Sequence, residues 1–223
     1  WIGSSAFQGC EKLGTVVIPA AVTVIGSSAF RGCVKLDAVE IPAAVTTIEA
    51  FAFEGCVKLG TVTGCESVER VERAAFENTD FITGAGKGPL QVGCVLFRWI
   101  DGKEGETAEI DESVLTLAYG AFTSNTVAKV AVPSAIGRVE AGTFVSCSGL
   151  QVVEFANPDV LLSTGAAVDC VPQPQWVASK GGFIFQGFTG YDDGSCEPGY
   201  LCAQFEKVRF HNDPNEDGAF VAG

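Results

Sequence analysis

The sequence predicts a repeat solenoid in which stacked coils share one continuous apolar core. Two observations support this fold class: the dipeptide Ala-Phe returns every 23 residues, and the apolar positions between successive pairs are refilled in each copy. A unit this short cannot bury its apolar side alone, so a period in the twenties indicates coils that stack on one another. The dipeptide stands at Ala6-Phe7, Ala29-Phe30, Ala52-Phe53 and Ala75-Phe76.

The opening repeats also share a run of apolar residues with Gly-Cys at its end. In the second copy these are Leu13, Val16, Ile18-Pro19, Val22, Ile25, Ala29-Phe30 and Gly32-Cys33, and in the third they are Leu36, Val39, Ile41-Pro42, Val45, Ile48, Ala52-Phe53 and Gly55-Cys56. This pattern resembles the BspA-like class of leucine-rich repeats. The resemblance implies a right-handed coil of short parallel strands, mostly strand and loop with little helix. It also implies kinship with mainly surface or secreted proteins that mediate adhesion and protein contacts.

The register of the repeat persists through a divergent middle part. The pattern is strongest over residues 1–76 and resumes over 110–155, and Phe122 follows Phe76 by 46 residues, which is two whole periods. A further unit, one residue shorter, ends at Phe144. We therefore predict a solenoid over residues 1–155 with an irregular insertion at 77–109. Residues 156–223 are predicted to form a degenerate last coil, an irregular cap and an acidic tail.

The insertion is one candidate partner site. The glycine-rich run from Thr83 to Pro89 predicts a loop, and the apolar run from Val95 to Ile100 predicts a strand that enters a tight turn at Asp101-Gly102. Departures from a repeat usually project as loops from one face, which makes Phe97, Arg98 and Trp99 candidate contact residues. The alternative is an insertion that is tolerated without a function.

The C-terminal part supplies a second group of aromatic candidates. Because the last coil of a solenoid exposes an apolar end, these residues are expected to cap it, and the alternative is a docking surface. The candidates are Trp176, Phe183, Phe185 and Phe188.

The nine cysteines divide according to the register. Five share one repeat position and predict a ladder of small buried side chains: Cys10, Cys33, Cys56, Cys147 and Cys170. Four lie outside it and are candidates for two disulfides, Cys196 with Cys202 and Cys65 with Cys94. If both bridges form, the protein matures in an oxidising compartment, whereas their absence would favour a reducing stroma or cytosol.

Metal and catalytic motifs are weak. Asp213, Asn215 and Asp217 match the first half of a calcium loop, but the position of the usual bidentate glutamate falls beyond Gly223, so a solvated acidic tail is the main expectation. The only histidine, His211, has no nucleophile elbow, Cys-His pair or phosphate loop beside it. We therefore expect no enzyme and no cofactor other than possible calcium.

Charge and hydropathy restrict the partners. A net charge of −13 disfavours nucleic acid and anionic lipid, which need clustered Lys and Arg. No stretch reaches the roughly 20 apolar residues of a membrane span, although peripheral contact with a membrane complex remains open. The chain starts in mid-coil, with Ile2 at the position of Ile25, and lacks methionine, so we expect a piece of a longer precursor whose targeting segment is not visible.

The sequence therefore favours a non-catalytic scaffold for protein contacts, outside the cell, at its surface or in an organellar lumen. The alternative is an accessory or linker subunit that stabilises a large multiprotein complex. The outward positions of the repeat strand are small and weakly charged, without the Trp, Tyr and Arg of a strong contact surface, so the irregular parts are the favoured partner sites.

Overall fold

Each 23-residue unit forms one coil because short β-prone runs alternate with sharp corners. The computed structural model describes residues 1–157, 159–163, 165–171 and 174–178. It is a β-solenoid of about seven turns with parallel strands and almost no helix, which confirms the predicted fold class. Residues 179–223, which include the predicted cap and acidic tail, lie outside the described part.

The described chain contains sixteen short strands and one helix of a single turn, α1 (Asp80–Thr83). The strands are β1 (Val24–Ile25), β2 (Ala38–Glu40), β3 (Thr47–Ile48), β4 (Thr61–Thr63), β5 (Arg70–Val71), β6 (Gly88–Val92), β7 (Val95–Ile100), β8 (Thr107–Glu109), β9 (Thr116–Leu117), β10 (Lys129–Val132), β11 (Arg138–Val139), β12 (Phe144–Val145), β13 (Val152–Phe155), β14 (Leu161–Leu162), β15 (Ala167–Val168) and β16 (Gln175–Ala178).

The strands stack in sheets along the solenoid. The sheets run β1-β3-β5, β2-β4, β6-β7-β9, β8-β10-β13-β16, β11-β14 and β12-β15, and every pairing except β6 with β7 is parallel. Val24 pairs with Thr47 and Thr47 with Arg70, so the sequence period sets the register. Regular pairing continues to β16, beyond the boundary at residue 155 that the sequence predicts.

The invariant phenylalanine of the repeat forms a stack along the core. Phe7, Phe30, Phe53 and Phe76 lie with ring centroids 5.1, 5.2 and 5.3 Å apart and nearly parallel planes. Phe30, Phe53 and Phe76 are fully buried. The stack fixes neighbouring coils relative to one another, because each ring packs against the ring of the next coil.

The coil that spans residues 77–99 keeps the period but changes its path. Helix α1 ends just before residues 84–86, which correspond to β4 by the period but form no strand, and Phe81 donates a backbone hydrogen bond of 2.6 Å to the carbonyl of Leu59. The chain then forms an antiparallel hairpin, β6 and β7, before β7 pairs with β9. The predicted strand from Val95 to Ile100 is confirmed, but its hairpin turn precedes it at Gly93 and Cys94 rather than following it.

Two compensating changes return this coil to register. Val95 pairs with Thr116, an offset of 21 residues instead of the usual 23, because the hairpin adds two residues. The next corner is two residues shorter, and Trp99 therefore stacks on Phe122, 23 residues further along. Trp99 takes the position of the stacked phenylalanine in this coil.

The other coils turn this corner through a residue with left-handed backbone. A positive φ is uncommon outside glycine, and it recurs here at one repeat position in seven coils. In later coils this position is glycine, but in the third coil it is Phe51, with φ of 60°. The series is Ser5, Ser28, Phe51, Ala74, Gly120, Gly142 and Gly165.

Candidate functional site

Four of the five ladder cysteines lie in the core of the solenoid. Cys33, Cys56, Cys147 and Cys170 are buried, whereas Cys10 in the first described coil is exposed. The Cys56 thiol donates to the Phe30 carbonyl at 3.0 Å, and the Cys147 thiol donates to the Phe122 carbonyl at 2.7 Å. Burial raises the pKa of both thiols to about 12. These protonated thiols satisfy backbone carbonyls of the preceding coil and are poor nucleophiles or metal ligands.

The insertion residues Phe97 and Trp99 are buried and Arg98 is half-buried, so the projecting loop that the sequence predicts for them does not form. Phe97 and Trp99 are 1% and 8% exposed. Phe97 packs edge-on against Phe76 with centroids 5.5 Å apart, and the Arg98 guanidinium forms a 2.7 Å ion pair with Glu77. The reason is that β7 lies between two parts of the core, so side chains on both of its faces are buried.

The predicted bridge between Cys65 and Cys94 is absent from the structure. Both are free thiols, and the Cys65 thiol lies 3.7 Å from the Thr63 carbonyl, while the Cys94 thiol donates to the Val68 carbonyl at 3.4 Å. The amide and the thiol of Cys94 both donate to the Val68 carbonyl in the preceding coil, whereas the Cys65 thiol faces the Thr63 carbonyl of its own coil, so neither sulfur is directed at the other. Cys196 and Cys202 lie outside the described residues.

The C-terminal aromatic group is represented in the structure by Trp176. Its ring is half-buried and packs edge-on against Phe144 at 5.9 Å and face-on against Phe155 at 6.1 Å. Trp176 therefore covers the apolar core of the last described coils. Phe183, Phe185 and Phe188 lie outside the described residues, as do the calcium candidates Asp213, Asn215 and Asp217.

The outward face of the repeat strands offers little to a partner. On β10 and β13 the outward side chains include Lys129 and Glu154, which form an ion pair with each other. The other outward residues of β2, β4 and β8 are Ala, Thr and Glu. This strand face lacks aromatic and arginine anchors, as the sequence indicates.

A group of aromatic and arginine side chains, three of them exposed and Phe51 half-buried, lies instead at the corner that precedes the stacked phenylalanine. We call Arg31, Phe51, Arg73 and Tyr119 the corner cluster. The guanidinium carbons of Arg31 and Arg73 lie 5.6 and 5.9 Å from the ring centroid of Phe51. The guanidinium of Arg73 also lies 5.4 Å from the ring centroid of Tyr119. Such distances place each cation in attractive contact with a ring.

Local backbone geometry explains how these side chains meet. Phe51 is displayed because it occupies the left-handed corner position, where neighbouring coils carry serine or alanine. The coil of residues 77–99 lacks this corner, so Arg73 reaches past it to Tyr119 two coils further along. Gly142 leaves space for the tyrosine, because a Cβ at that position would overlap the Tyr119 ring.

The arginines of the cluster differ in their ionic partners. Arg31 forms a 2.6 Å ion pair with Glu54. Arg73 is exposed and has no carboxylate within ion-pair distance in the described part of the chain. The remaining described arginines, Arg70, Arg98 and Arg138, all pair with glutamate.

The carboxylates near the corner are engaged with the backbone. Glu49 accepts a 2.8 Å hydrogen bond from the amide of Ser27, and Glu72 accepts one of 3.2 Å from the amide of Ala50. Glu72 also lies 3.6 Å from Arg70. These bonds connect successive coils, and among the described residues the guanidinium of Arg73 contacts only the rings of Phe51 and Tyr119.

Sequence reasoning missed the corner cluster, although a signal was present. The column formed by Ser5, Ser28, Phe51 and Ala74 contains one bulky residue where small residues prevail. The adjoining column places Arg73 and Tyr119 where other coils have serine or alanine. A large residue at a corner position that contributes nothing to the core indicates a side chain that lies on the surface.

The described residues contain no cluster of His, Cys, Asp and Glu suited to a metal ion. Among those same residues, no helix has the length and hydropathy needed to cross a membrane.

The profile of the BspA type leucine-rich repeat region matches residues 1–84 and 102–166, in six copies. The chain belongs to this family. The interval between the two matched parts of this BspA-type repeat protein, residues 85–101, contains the hairpin β6–β7. The interruption of the family pattern therefore coincides with the change of path in this coil. No protein with a curated description matches the chain.

Three solved structures resemble this BspA-type chain. A leucine-rich repeat protein from Bacteroides ovatus ATCC 8483 is 16% identical with a TM-score of 0.40, covering 83% of this chain and 44% of that one. One from Eubacterium ventriosum ATCC 27560 is 18% identical with a TM-score of 0.32, covering 61% and 30%. A leucine-rich cell surface protein from Faecalibacterium prausnitzii A2-165 is 18% identical with a TM-score of 0.35, covering 85% and 69%. The chain thus spans less than half the length of the first two.

Proposed function

We propose that this chain is a non-catalytic scaffold that binds a protein partner through the corner cluster. The observation that carries the proposal is the contact of two exposed side chains, Arg73 and Tyr119, with each other and of Arg73 with the half-buried Phe51 on a solenoid corner. Tyrosine, tryptophan and arginine dominate the binding energy of protein interfaces, because they combine large contact areas with directed polar groups. No other described surface of this chain brings aromatic rings and an unpaired guanidinium together.

The scaffold beneath the cluster favours binding. The stacked rings of Phe30, Phe53 and Phe76 fix the coils that carry the corner, so the contact residues are held before a partner arrives. A surface ordered in advance loses less conformational freedom on association, which leaves more of the contact energy for affinity.

We place the protein outside the cell or at its surface, in an adhesion-like role. Membership of the BspA-type family supports this assignment. The alternative role, as an accessory or linker subunit of a large complex, would be supported by exposed aromatic residues in the insertion. Phe97 and Trp99 are buried, which removes that support. Fractionation of the producing cells tests the location, since the surface role requires the protein at the surface or in the medium.

Site-specific photo-crosslinking tests the binding surface. A benzophenone amino acid replaces Tyr119 in one preparation and Leu115 in another, which is 53% exposed on the same coil but outside the cluster. We expect one discrete protein adduct from position 119, absent when Arg73→Gln is added, and none from position 115. Equal adducts at both positions, or none at 119, would contradict the proposal.

A further inference from the structure

We infer that the corner cluster recognises an acidic segment of a partner protein in which a glutamate or aspartate lies between two apolar residues. This inference rests on the proposed function and specifies its chemistry. Arg73 takes the side-chain carboxylate, while the apolar residues pack on Phe51 and Tyr119. The partner segment is extended and runs along the solenoid axis.

Arg73 is exposed although its guanidinium carbon lies over two rings, so N–H donors of this side chain face solvent. A guanidinium that lies over an aromatic ring uses its flat face, whereas its five N–H donors point outward in the plane. Those donors match the two oxygens of a carboxylate and bind it bidentately. In the described chain no carboxylate lies within ion-pair distance of Arg73, although Arg31, Arg70, Arg98 and Arg138 each have one.

The nearby glutamates do not take this role. Glu49 and Glu72 are hydrogen-bonded to the amides of Ser27 and Ala50 in the preceding coil. Moving either carboxylate to Arg73 would leave a backbone donor without its partner, at a cost of about 1–3 kcal/mol where that donor is shielded from water. A carboxylate from another protein meets no such penalty.

The spacing of the cluster specifies the sequence of the segment. Along the solenoid axis, Phe51 precedes Arg73 by one coil and Tyr119 follows it by two. Their ring centroids lie 5.9 and 5.4 Å from the Arg73 guanidinium. Alternate residues of an extended chain share a face and lie about 6.6 Å apart. With a carboxylate at position i on Arg73, residues i−2 and i+2 lie on either side of it, where their side chains reach the two rings.

Charge favours a short acidic motif over a strongly acidic surface. The chain carries a net charge of −13, which repels an acidic partner at long range. At physiological ionic strength charges are screened beyond about 8 Å, so the local guanidinium controls the contact. The flanking rings add apolar area that a free inorganic anion cannot cover, which distinguishes a peptide from phosphate.

The inference is tested by titrating the full chain with a short peptide, followed by two-dimensional NMR of the Arg73 side-chain Nε–H resonance. The probe is acetyl-Gly-Leu-Ser-Glu-Ser-Leu-Gly-amide. Two matched peptides replace its glutamate with glutamine or both leucines with serine. We expect saturable binding that shifts the Arg73 resonance, and at least tenfold weaker binding of each matched peptide.

Variants assign the effect to the cluster. Arg73→Gln should abolish the preference for glutamate over glutamine, and Arg73→Lys should retain only a small part of it, because lysine lacks the planar fork. Arg138→Gln is the control, since Arg138 is an exposed arginine of another coil paired with Glu140. It should leave peptide binding unchanged.

Three results would overturn the inference. They are equal binding of the glutamate and glutamine peptides, a preference unaffected by Arg73→Gln, and competition by inorganic phosphate at concentrations equal to the peptide. If the cross-link at position 119 forms but the glutamate peptide does not bind selectively, the corner cluster remains the proposed binding surface and the acidic motif is wrong. If both fail, the proposed function is wrong as well.

Discussion

At the scale of single residues, one repeat position carries a polar role inside an apolar core. Cys56 and Cys147 donate to the carbonyl of the stacked phenylalanine in the preceding coil. Asn125 donates to the carbonyl of Trp99 at 3.0 Å in the same way, and Thr79 donates to Phe76 in its own coil at 2.7 Å. In most coils the position holds a small donor, which cysteine supplies at low cost of desolvation, although one coil has Gly102 there.

The raised pKa of these thiols predicts a loss of stability in alkali. Burial raises the pKa of Cys56 and Cys147 from 9.0 to about 12, so the unfolded chain ionises first as the pH increases. Their contribution is complete below pH 9 and is lost between pH 9 and 12. Urea unfolding midpoints measured from pH 7 to 11 should fall above pH 9. The fall should be smaller in Cys56→Thr, and an identical slope in that variant would contradict the assignment.

Phe51 offers a second test, because its backbone and its ring have opposing effects on stability. Replacement by glycine relieves a left-handed conformation that costs about 1–2 kcal/mol. It also removes two cation–ring contacts of about 0.5–1 kcal/mol each. Glycine further increases the conformational entropy of the unfolded chain, which lowers the stability by a similar amount. We expect Phe51→Gly to unfold within about 1 kcal/mol of the wild type in urea.

Alanine at the same position provides the control. Phe51→Ala loses the ring but keeps the strain, so it should be less stable than Phe51→Gly by about 1 kcal/mol. Equal stability of the two variants would show that the corner does not require the left-handed conformation.

The sequence predicts the ladder position but not the corner cluster. The ladder position can be located by counting from Phe30 to Cys33 and onward, because burial follows from periodicity. The corner cluster cannot, since the contact of Arg73 with Tyr119 depends on the missing corner between them. That corner is absent because the hairpin of residues 88–100 adds two residues upstream, which the sequence pattern does not reveal.

At the scale of elements, strand β7 joins two parts of the core. Val95 and Phe97 belong to the apolar cluster of the first coils, whereas Leu96 and Trp99 belong to the cluster of the later coils. A strand buried on both faces reads as a continuous apolar run, in the way that Val95-Leu96-Phe97 does. Aromatic residues in such a run signal a core strand rather than an exposed loop.

Trp99 substitutions test whether this tryptophan completes the ring stack. Trp99 lies 5.8 Å from Phe122 at the position where other coils have phenylalanine. Trp99→Phe should therefore cost less than about 1.5 kcal/mol, whereas Trp99→Ala should cost about 3–5 kcal/mol. Urea unfolding measures both. A phenylalanine variant as unstable as the alanine variant would contradict the shared position.

At the scale of the whole molecule, the solenoid contains two apolar clusters that meet at β7. Each coil contacts mainly its neighbours, so cooperativity between the halves depends on this strand. Phe97 packs against Phe76 and connects the hairpin to the first cluster. The period predicts a continuous core, but the division is a consequence of the hairpin and could not be predicted from the repeat.

Removing Phe97 should separate the unfolding of the two halves. In Phe97→Ala, amide hydrogen exchange should show different opening free energies for residues 18–76 and 117–170, because the contact between them is weakened. Phe53→Ala removes a comparable side chain within the first cluster. It should lower the stability of the protein without changing the difference in opening free energy between the two halves. Identical effects of the two variants would indicate that β7 does not connect the clusters.

The central claim is that a protein partner binds the corner cluster rather than the strand face. The most direct measurement is the affinity of the partner recovered by cross-linking at position 119 for three preparations: the wild type, Arg73→Gln, and Thr61→Arg on the outward face of β4. We expect about a 30-fold loss for Arg73→Gln, the effect of a hot spot of about 2 kcal/mol, and an unchanged affinity for Thr61→Arg. Unchanged affinity in Arg73→Gln, together with a loss in Thr61→Arg, would contradict it.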